Sequence, residues 1–207
     1  NRNGYTAGRP VATDTRVVVT GVLGLQGDFQ AHERSLDEIG VTAAIVKKTE
    51  QLDDVDGLII PGGESTTLIK LMDTFEFWDP IRRFVESGRP VFGTCAGLIV
   101  LATEVVNPSQ KSLAVLDVTV ERNSYGRQRE SFEATGFLSD SDYQQNIPMI
   151  FIRAPKILRV GKDVAIVASW EKETVMVRAG NVLGATFHPE LSEGNRVHRY
   201  FVDMIST

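Results

Sequence analysis

The sequence is poor in the residues on which several specialised protein classes depend. Its 207 residues include one cysteine, Cys95, and three histidines. One cysteine cannot close an internal disulfide, and no zinc-ligand type lies within three residues of it, which excludes a disulfide scaffold and a thiolate metal cluster. The longest apolar stretch, residues 17–25, is about half of the ~20 residues that a membrane span needs. The net charge of −5 comes with dispersed Lys and Arg residues, whereas nucleic-acid binding requires a basic patch. We therefore expect no membrane, nucleic-acid or metal partner, and a cytoplasmic location.

The apolar content is sufficient for one sizeable domain. Apolar residues make up 42% of the chain and charged residues 24%. A chain of this size buries about 70% of its surface on folding, so we expect residues 17–207 to form one domain. Residues 1–16 are polar, have no initiating methionine and contain no apolar segment typical of a secretory signal. We expect them to be a flexible N-terminal tail.

Hydrophobic periodicity predicts the fold class. In the first half, short β-branched runs that indicate buried strands alternate with segments of helical period. This alternation predicts an α/β fold of three layers, in which helices cover both faces of a mostly parallel sheet. Beyond residue 116 the strands follow one another closely, which predicts additional antiparallel strands and a hairpin turned at Gly180 and Asn181. Residues 139–146 are polar and predict a flexible loop.

The segment GTCAG, residues 93–97, is typical of a nucleophile on a sharp strand-to-helix turn. Glycines two residues before and after Cys95 leave room for the backbone as it lifts the side chain into the open. The alternative is a buried structural cysteine, the usual state of a lone thiol. Glycines at both flanking positions favour the nucleophile.

A thiol nucleophile needs a base, and His188 is the best candidate of the three histidines. It follows a predicted strand in FHPEL, residues 187–191, where Glu190 could orient its imidazole. His32 lies on the apolar stripe of the first helix and His198 within the last helix, so we interpret both as packing or surface residues. A solvated turn or part of a metal site would also explain His-x-Glu, but no further metal ligands are near in sequence.

Two further loops follow predicted strands. The glycines of PGGEST, residues 61–66, could present backbone N–H groups to an oxyanion, and the ending that a phosphate-binding P-loop requires is missing. The loop GLQGD, residues 24–28, is uninformative by itself. Because the carboxyl ends of parallel strands share one edge of a sheet, we expect these loops to lie near Cys95 and His188.

Six motifs in order carry a resemblance to a known family. They are GLQGD, PGGEST, GTCAG, RNSYGRQRESFE (residues 122–133), FIRAP (residues 151–155) and FHPEL. Together they resemble the glutaminase subunits of two-component pyridoxal 5′-phosphate synthases, which belong to the triad glutamine amidotransferases. The resemblance runs from residue 17 to the end of the chain, and it implies the flavodoxin-like fold of class I amidotransferases. The departures are the tail, Ala114 where the family usually has glycine, and a longer segment 139–146.

The resemblance implies a reaction and a set of residues. Cys95 would attack the side-chain amide of L-glutamine to give a γ-glutamyl thioester, and His188, held by Glu190, would protonate the departing ammonia and activate the hydrolytic water. Backbone amides of Gly63 and Ala96 would form the oxyanion hole. The family's glutamine pocket corresponds to Gly63, Glu64, Ser65, Arg122, Ile152 and Arg153. Glu64 suits the α-ammonium group and an arginine the α-carboxylate; which arginine does so stays open. No cofactor is implied.

A partner is implied as well, because ammonia must reach an acceptor and the chain has no second domain. In the family the partner is a (βα)₈-barrel synthase subunit that makes pyridoxal 5′-phosphate. We expect the isolated protein to be nearly inactive until the barrel docks, with Gln26 as a relay to the glycine loop.

Three other interpretations remain at this stage. A glutaminase for imidazole glycerol phosphate or aminodeoxychorismate synthesis would share the triad, although GLQGD and RNSYGRQ are not signatures of those families. A hydrolase or chaperone of the DJ-1 type would share the sheet and the elbow, but commonly has His directly after the Cys, where this chain has Ala96. A scaffold with a relict site is the non-enzymatic interpretation, and the intact Cys95, His188 and Glu190 argue against it.

Overall fold

The computed structural model describes residues 16–122, 131–140 and 142–207, which form twelve strands and five α-helices. The strands are β1 (Val19–Leu23), β2 (Thr42–Val46), β3 (Gly57–Ile60), β4 (Val91–Thr94), β5 (Ala102–Val106), β6 (Leu116–Glu121), β7 (Ser131–Asp140), β8 (Tyr143–Ile152), β9 (Lys156–Val160), β10 (Ala165–Trp170), β11 (Glu173–Ala179) and β12 (Val182–Ala185). The helices are α1 (Phe29–Glu38), α2 (Ser65–Thr74), α3 (Trp78–Glu86), α4 (Ala96–Leu101) and α5 (Arg196–Ser206). Short 3₁₀ segments span Thr49–Asp54 and Pro189–Leu191.

Nine of these strands form one mixed sheet in the order β2-β1-β3-β4-β12-β11-β10-β7-β8. The first five are parallel to one another, and β12 onward continues as antiparallel pairs. Strands β5, β6 and β9 form a smaller sheet, in which β5 and β6 are parallel and β6 and β9 antiparallel. The predicted α/β fold, with antiparallel strands added in the second half, is confirmed, as is the hairpin at Gly180 and Asn181.

The helices cover both faces of the large sheet because each has one apolar stripe. On one face, Leu36 of α1 and Phe201 of α5 pack in a buried cluster with Phe92 of β4. On the other face, Leu68 of α2 and Phe84 of α3 belong to a second cluster, which also contains α4. The chemistry-bearing loops therefore project from a sheet that is packed on both sides.

The first helix begins and ends where the sequence predicts. The Asp28 side chain accepts a hydrogen bond from the Ala31 backbone N–H at 3.2 Å, which satisfies one of the open donors of the first turn. Gly40 follows the helix at φ 75, a left-handed conformation that glycine adopts without strain. This cap positions the loop that carries Gln26, directly before the helix.

The prediction of a flexible loop over residues 139–146 is wrong. β7 runs to Asp140 and β8 begins at Tyr143, and these two residues pair across the turn. Exposure alternates along β8, where Gln144 and Asn146 face solvent and Ile147 is buried. The polar residues that resembled a loop are thus the solvent face of a hairpin strand.

The predicted tail falls almost entirely outside the described residues. Arg16, the first described residue, pairs with the side chain of Asp56. In the part of the chain that the structure covers, no helix has the length and apolarity needed to cross a membrane.

Candidate active site

Four loops meet at one edge of the large sheet. β1, β3, β4 and β12 are neighbours in that order and run parallel, so the segments that follow them leave the sheet side by side. These segments carry Gln26, the glycine pair Gly62 and Gly63, Cys95 and His188. The expectation that the four loops gather at the carboxyl ends of parallel strands is confirmed.

Cys95 occupies a strained turn between β4 and α4. Its backbone has φ 51 and ψ −107, outside the regions that ordinary residues favour. The turn depends on glycine: a Cβ on Gly93 would lie 2.5 Å from the Gly97 backbone, and one on Gly97 would lie 2.1 Å from the Ile60 carbonyl oxygen. The Cys95 N–H donates to the Ala185 carbonyl at 2.9 Å, which ties the turn to β12. The backbone has the geometry of a nucleophile elbow.

His188 lies between Cys95 and Glu190. Its Nδ1 is 2.6 Å from Glu190 Oε1, and its ring adjoins Cys95, since a Cβ on Gly62 would meet the His188 ring at 2.5 Å and Cys95 Cβ at 3.1 Å. Burial by itself would lower the pKa of His188, but the hydrogen bonds to Cys95 and Glu190 and the negative charge of Glu190 raise it to about 10. The three side chains form one line, in which a base contacts a thiol and a carboxylate orients the base.

The glycine loop after β3 packs against this line and against Gln26. The Gly62 N–H donates to Thr94 Oγ1 at 3.1 Å, and the Gln26 side-chain amide donates to the Gly62 carbonyl at 3.4 Å. A Cβ on Gly62 would lie 2.5 Å from the His188 ring, and one on Gly63, at φ 146, would lie 2.1 Å from Gln26 Oε1. The loop can therefore lie here only because both residues lack a side chain.

The residues expected to bind glutamine begin beside this loop. Glu64 caps α2 by accepting hydrogen bonds from the Thr66 and Thr67 N–H groups, and it also pairs with Arg122 at 2.5 Å. Slight burial would raise the pKa of the Glu64 carboxyl, but its hydrogen bonds to Thr67 and Thr66 lower it. Two residues of the expected glutamine pocket, one acidic and one basic, are thus paired with each other.

The other expected pocket residues are placed less closely together. Ser65 is buried at the start of α2, and its hydroxyl donates to Gln110 at 2.9 Å. Ile152 and Arg153 lie at the end of β8, which passes the triad because the His188 N–H donates to the Ile150 carbonyl at 2.8 Å. Residues 123–130, most of the RNSYGRQRESFE motif, lie outside the described residues.

Sequence reasoning missed three residues at this site. His32 and His198, interpreted as packing or surface residues, are fully buried; His32 Nε2 lies 3.3 Å from Glu190 Oε2, and His198 contacts His32. Thr94, which directly precedes the nucleophile, holds the glycine loop. The position of His32 on the apolar stripe of a helix indicates that it is buried. Periodicity does not predict which residues of the sheet it will contact.

The site is almost closed. Cys95 is 5% exposed, His188 8% and Glu190 9%. A groove of about 680 Å³ lies nearby between the β7–β8 hairpin and the segment after Glu190, but Cys95 is not among its lining residues. A substrate therefore needs a movement of the surrounding loops to reach the thiol.

Comparison with known proteins places the chain in a family. The model of the SNO glutamine amidotransferase family matches residues 22–207. A pyridoxal 5′-phosphate synthase subunit PdxT from Geobacillus sp. (strain WCH70) is 51% identical over 89% of this chain and 95% of its own length. The PdxT of Anoxybacillus flavithermus is 49% identical over 91% of this chain and 97% of its own. A crystal structure of a glutamine amidotransferase, 45% identical, superposes with a TM-score of 0.85 over 91% of this chain and 99% of that one. The chain belongs to the SNO glutamine amidotransferase family.

Proposed function

We propose that this protein is the glutaminase subunit of a pyridoxal 5′-phosphate synthase, hydrolysing L-glutamine to L-glutamate and ammonia. One observation carries the chemistry: Cys95 and His188 adjoin each other at two adjacent strand ends, and His188 Nδ1 lies 2.6 Å from Glu190 Oε1. The family and the PdxT relatives support the substrate and the pathway.

The residues act in two half-reactions. In the first, the proton that Cys95 has given up rests on His188, the sulfur attacks the side-chain amide carbon, and that proton passes to the nitrogen as the C–N bond breaks and ammonia leaves. In the second, His188 takes a proton from water, which attacks the thioester and releases glutamate and the thiol. Glu190 stabilises the imidazolium that exists in both steps, and the raised pKa of His188 agrees with that role.

The developing oxyanion needs donors, and we assign them to the backbone N–H groups of Gly63 and Ala96. Ala96 is the first residue of α4 and directly follows the nucleophile, as one donor does at such elbows. Gly63 follows Gly62, a Cβ on which would meet the Cys95 side chain at 3.1 Å. Both donors therefore come from segments in contact with the thiol.

Glutamine binding is assigned to Gly63, Glu64, Ser65, Arg122, Ile152 and Arg153. The Glu64–Arg122 ion pair offers one negative and one positive side chain, and glutamine carries one positive and one negative α-substituent to match them. The α-ammonium group would pair with Glu64 and the α-carboxylate with a freed arginine, so one internal ion pair is exchanged for two with substrate.

A (βα)₈-barrel synthase subunit is the proposed partner and ammonia acceptor. The nearly closed site accords with control by docking, since the free subunit keeps Cys95 only 5% exposed. Gln26 is the proposed relay because its amide holds the Gly62 carbonyl, and a shift of its loop would reorient the Gly62–Gly63 peptide. The expected cytoplasmic location stays a prediction.

The test is steady-state ammonia release from glutamine by the chain alone and with the barrel subunit of the same organism. We expect hydrolysis to be near background for the free chain, to rise on addition of the barrel, and to be absent for Cys95→Ala. No release in the complex, or equal release from Cys95→Ala, would contradict the proposed function.

The relay has its own test. We expect Gln26→Ala to impair stimulated hydrolysis more than it weakens barrel binding, measured by calorimetric titration of the two subunits. Gln144→Ala is a matched control, because that glutamine also donates a side-chain hydrogen bond at 3.4 Å, to Ser139, but at the turn end of the β7–β8 hairpin. Unchanged stimulated hydrolysis in Gln26→Ala would remove the relay and leave the triad assignment intact.

A further inference from the structure

Two buried histidines continue the line of the triad beyond Glu190. His32 of α1 faces Glu190 through Nε2, which is 3.3 Å from Glu190 Oε2. Its other ring nitrogen, Nδ1, is 2.9 Å from Nε2 of His198 on α5. Within the described residues, no three His, Cys, Asp or Glu side chains are arranged to hold a metal ion. The contacts therefore form a chain, in the order Cys95, His188, Glu190, His32, His198.

Neither added histidine carries charge at neutral pH. Burial holds the pKa of His32 well below its usual value, and unfavourable electrostatic interactions with His198 and then His188 lower it further. Burial lowers the pKa of His198 to about 4. Within the described residues, the pair faces the Glu190 carboxylate through His32 Nε2, and the imidazolium of His188 acts on His32 from beyond it. The negative charge of Glu190 therefore lies between the charged ring of His188 and the neutral ring of His32.

The carboxylate selects the tautomer of His32. Glu190 Oε2 only accepts hydrogen bonds, so a lone pair on His32 Nε2 would face a negative oxygen between two fully buried side chains. With its proton on Nε2, His32 presents a lone pair on Nδ1, and that position requires a donor. His198 supplies it when its own proton is on Nε2, which leaves His198 Nδ1 as a bare acceptor.

The remaining atoms agree with this assignment. Among the described residues, His198 Nδ1 is buried without a hydrogen-bond partner, and so are His32 Nε2 and Glu190 Oε2, which face each other at 3.3 Å. A buried acceptor without a partner is tolerated more often than a buried N–H without one. The same tautomer turns an N–H of His32 toward Glu190 Oε2 and an N–H of His198 toward His32 Nδ1. At 3.3 Å the His32–Glu190 contact is longer than a strong hydrogen bond, so it orients the carboxylate through charge and dipole.

We propose that His32 is a positioning residue for Glu190, and that His198 fixes the tautomer in which His32 does so. Held at Oε2 by the neutral His32, Glu190 keeps Oε1 aimed at His188 Nδ1. Without that restraint the carboxylate rotates and the orientation of the base is lost. The catalytic meaning of this inference rests on the proposed glutaminase function, whereas its geometric claim does not.

The direct test is nuclear magnetic resonance of the free protein labelled with ¹⁵N-histidine. Only three rings give signals, and His32→Gln and His198→Phe assign them. We expect His32 and His198 to be neutral Nε2–H tautomers at pH 7, with His188 charged. An Nδ1–H tautomer or a charged ring at His32 would overturn the proposal.

The functional test compares variants of one position. His32→Leu keeps bulk but removes the donor, whereas His32→Gln retains a donor near the position of Nε2. We expect His32→Leu to lower kcat of the complex about ten-fold to a hundred-fold at unchanged KM, and His32→Gln to restore most of it. The pH at which His188 loses its proton should fall by about one unit in His32→Leu. His198→Phe should give a smaller loss of the same kind.

Ser35→Ala is the matched control, because Ser35 is buried on α1 one turn after His32 and should leave both readouts unchanged. Wild-type kcat together with an unchanged His188 titration in His32→Leu would overturn the proposal. Circular dichroism shows whether His32→Leu folds; if it does not, the wild-type tautomers and His198→Phe decide. If the wild-type complex hydrolyses no glutamine, the proposed function fails, while tautomers and titration still decide the positioning claim.

Discussion

The two sides of the candidate active site differ in how tightly their residues are held. On the Cys95 side lie the glycine pair and Gln26. The backbone there has room only for glycine, and a long hydrogen bond of 3.4 Å links the Gln26 side chain to the glycine loop. On the Glu190 side, the buried carboxylate lies between the rings of His188 and His32, His198 backs His32, and contacts are as short as 2.6 Å. The difference indicates where the site can move: the glycine loop can reorient, whereas the base and its support are fixed. Substitutions on the two sides should therefore differ in kind.

The largest loss of kcat is expected from substitution of His188, which lies between Glu190 and the nucleophile. His188→Asn removes the proton-transfer group, whereas Glu190→Gln removes only orientation and charge, so both should lower kcat and the first should lower it more. In serine proteases the corresponding gap is about two orders of magnitude. Steady-state hydrolysis in the complex checks the ranking. Equal activity of His188→Asn and wild type would assign the base to another residue.

The strained side should respond through stability. Gly97→Ala places a Cβ 2.1 Å from the Ile60 carbonyl oxygen, a backbone atom that cannot move aside, so we expect a loss of about 3 kcal/mol in the free energy of unfolding. Gly180→Ala is the matched control: its φ is 58, but nothing lies within 4 Å, and only backbone strain of about 1 kcal/mol should appear. Urea titration measures both. Equal losses would mean that the elbow tolerates a larger residue.

The charge of His188 makes the free energy of unfolding depend on pH. The pKa of His188 is about 10 in the folded protein and about 6.5 when unfolded, so folding favours its protonated form. Its stabilising contribution is complete below pH 6.5 and is lost as the pH rises toward 10. We expect the difference in unfolding free energy between wild type and His188→Asn to shrink over that window. A difference that stays constant over that window would show that His188 is already neutral at pH 6.5 in the folded state.

A small effect is expected far from the site, at Ala114, where the sequence departs from its family. Ala114 is exposed and has φ 55, a left-handed conformation in which a Cβ is strained. We expect Ala114→Gly to stabilise the protein by about 0.5–1 kcal/mol, measured by thermal or urea unfolding. Ala165→Gly, at an exposed position of β10, is the control and should destabilise by a similar amount. A loss of stability in Ala114→Gly would remove the strain argument.

The same contrast explains what could be predicted from the sequence. The parallel strands are continuous apolar runs that end in glycine-rich loops, so both their type and the edge that carries the loops could be inferred. In the antiparallel half, β8 alternates exposed Gln144 and Asn146 with inward residues, and such a strand resembles a loop. Cys95, His188 and Glu190 lie in local motifs. His32 reaches Glu190 only through the packing of α1, a contact between residues 158 positions apart that no local pattern encodes.

The most direct measurement is the mass of the protein after treatment with a diazoketone analogue of glutamine in the presence of the barrel subunit. Such a reagent occupies the glutamine site and alkylates the nucleophile there. We expect one adduct per chain, located on Cys95 by peptide mapping, absent from Cys95→Ala and reduced when glutamine competes. An adduct on another residue, or labelling that persists in Cys95→Ala, would contradict the assignment of Cys95 as the nucleophile of a glutaminase.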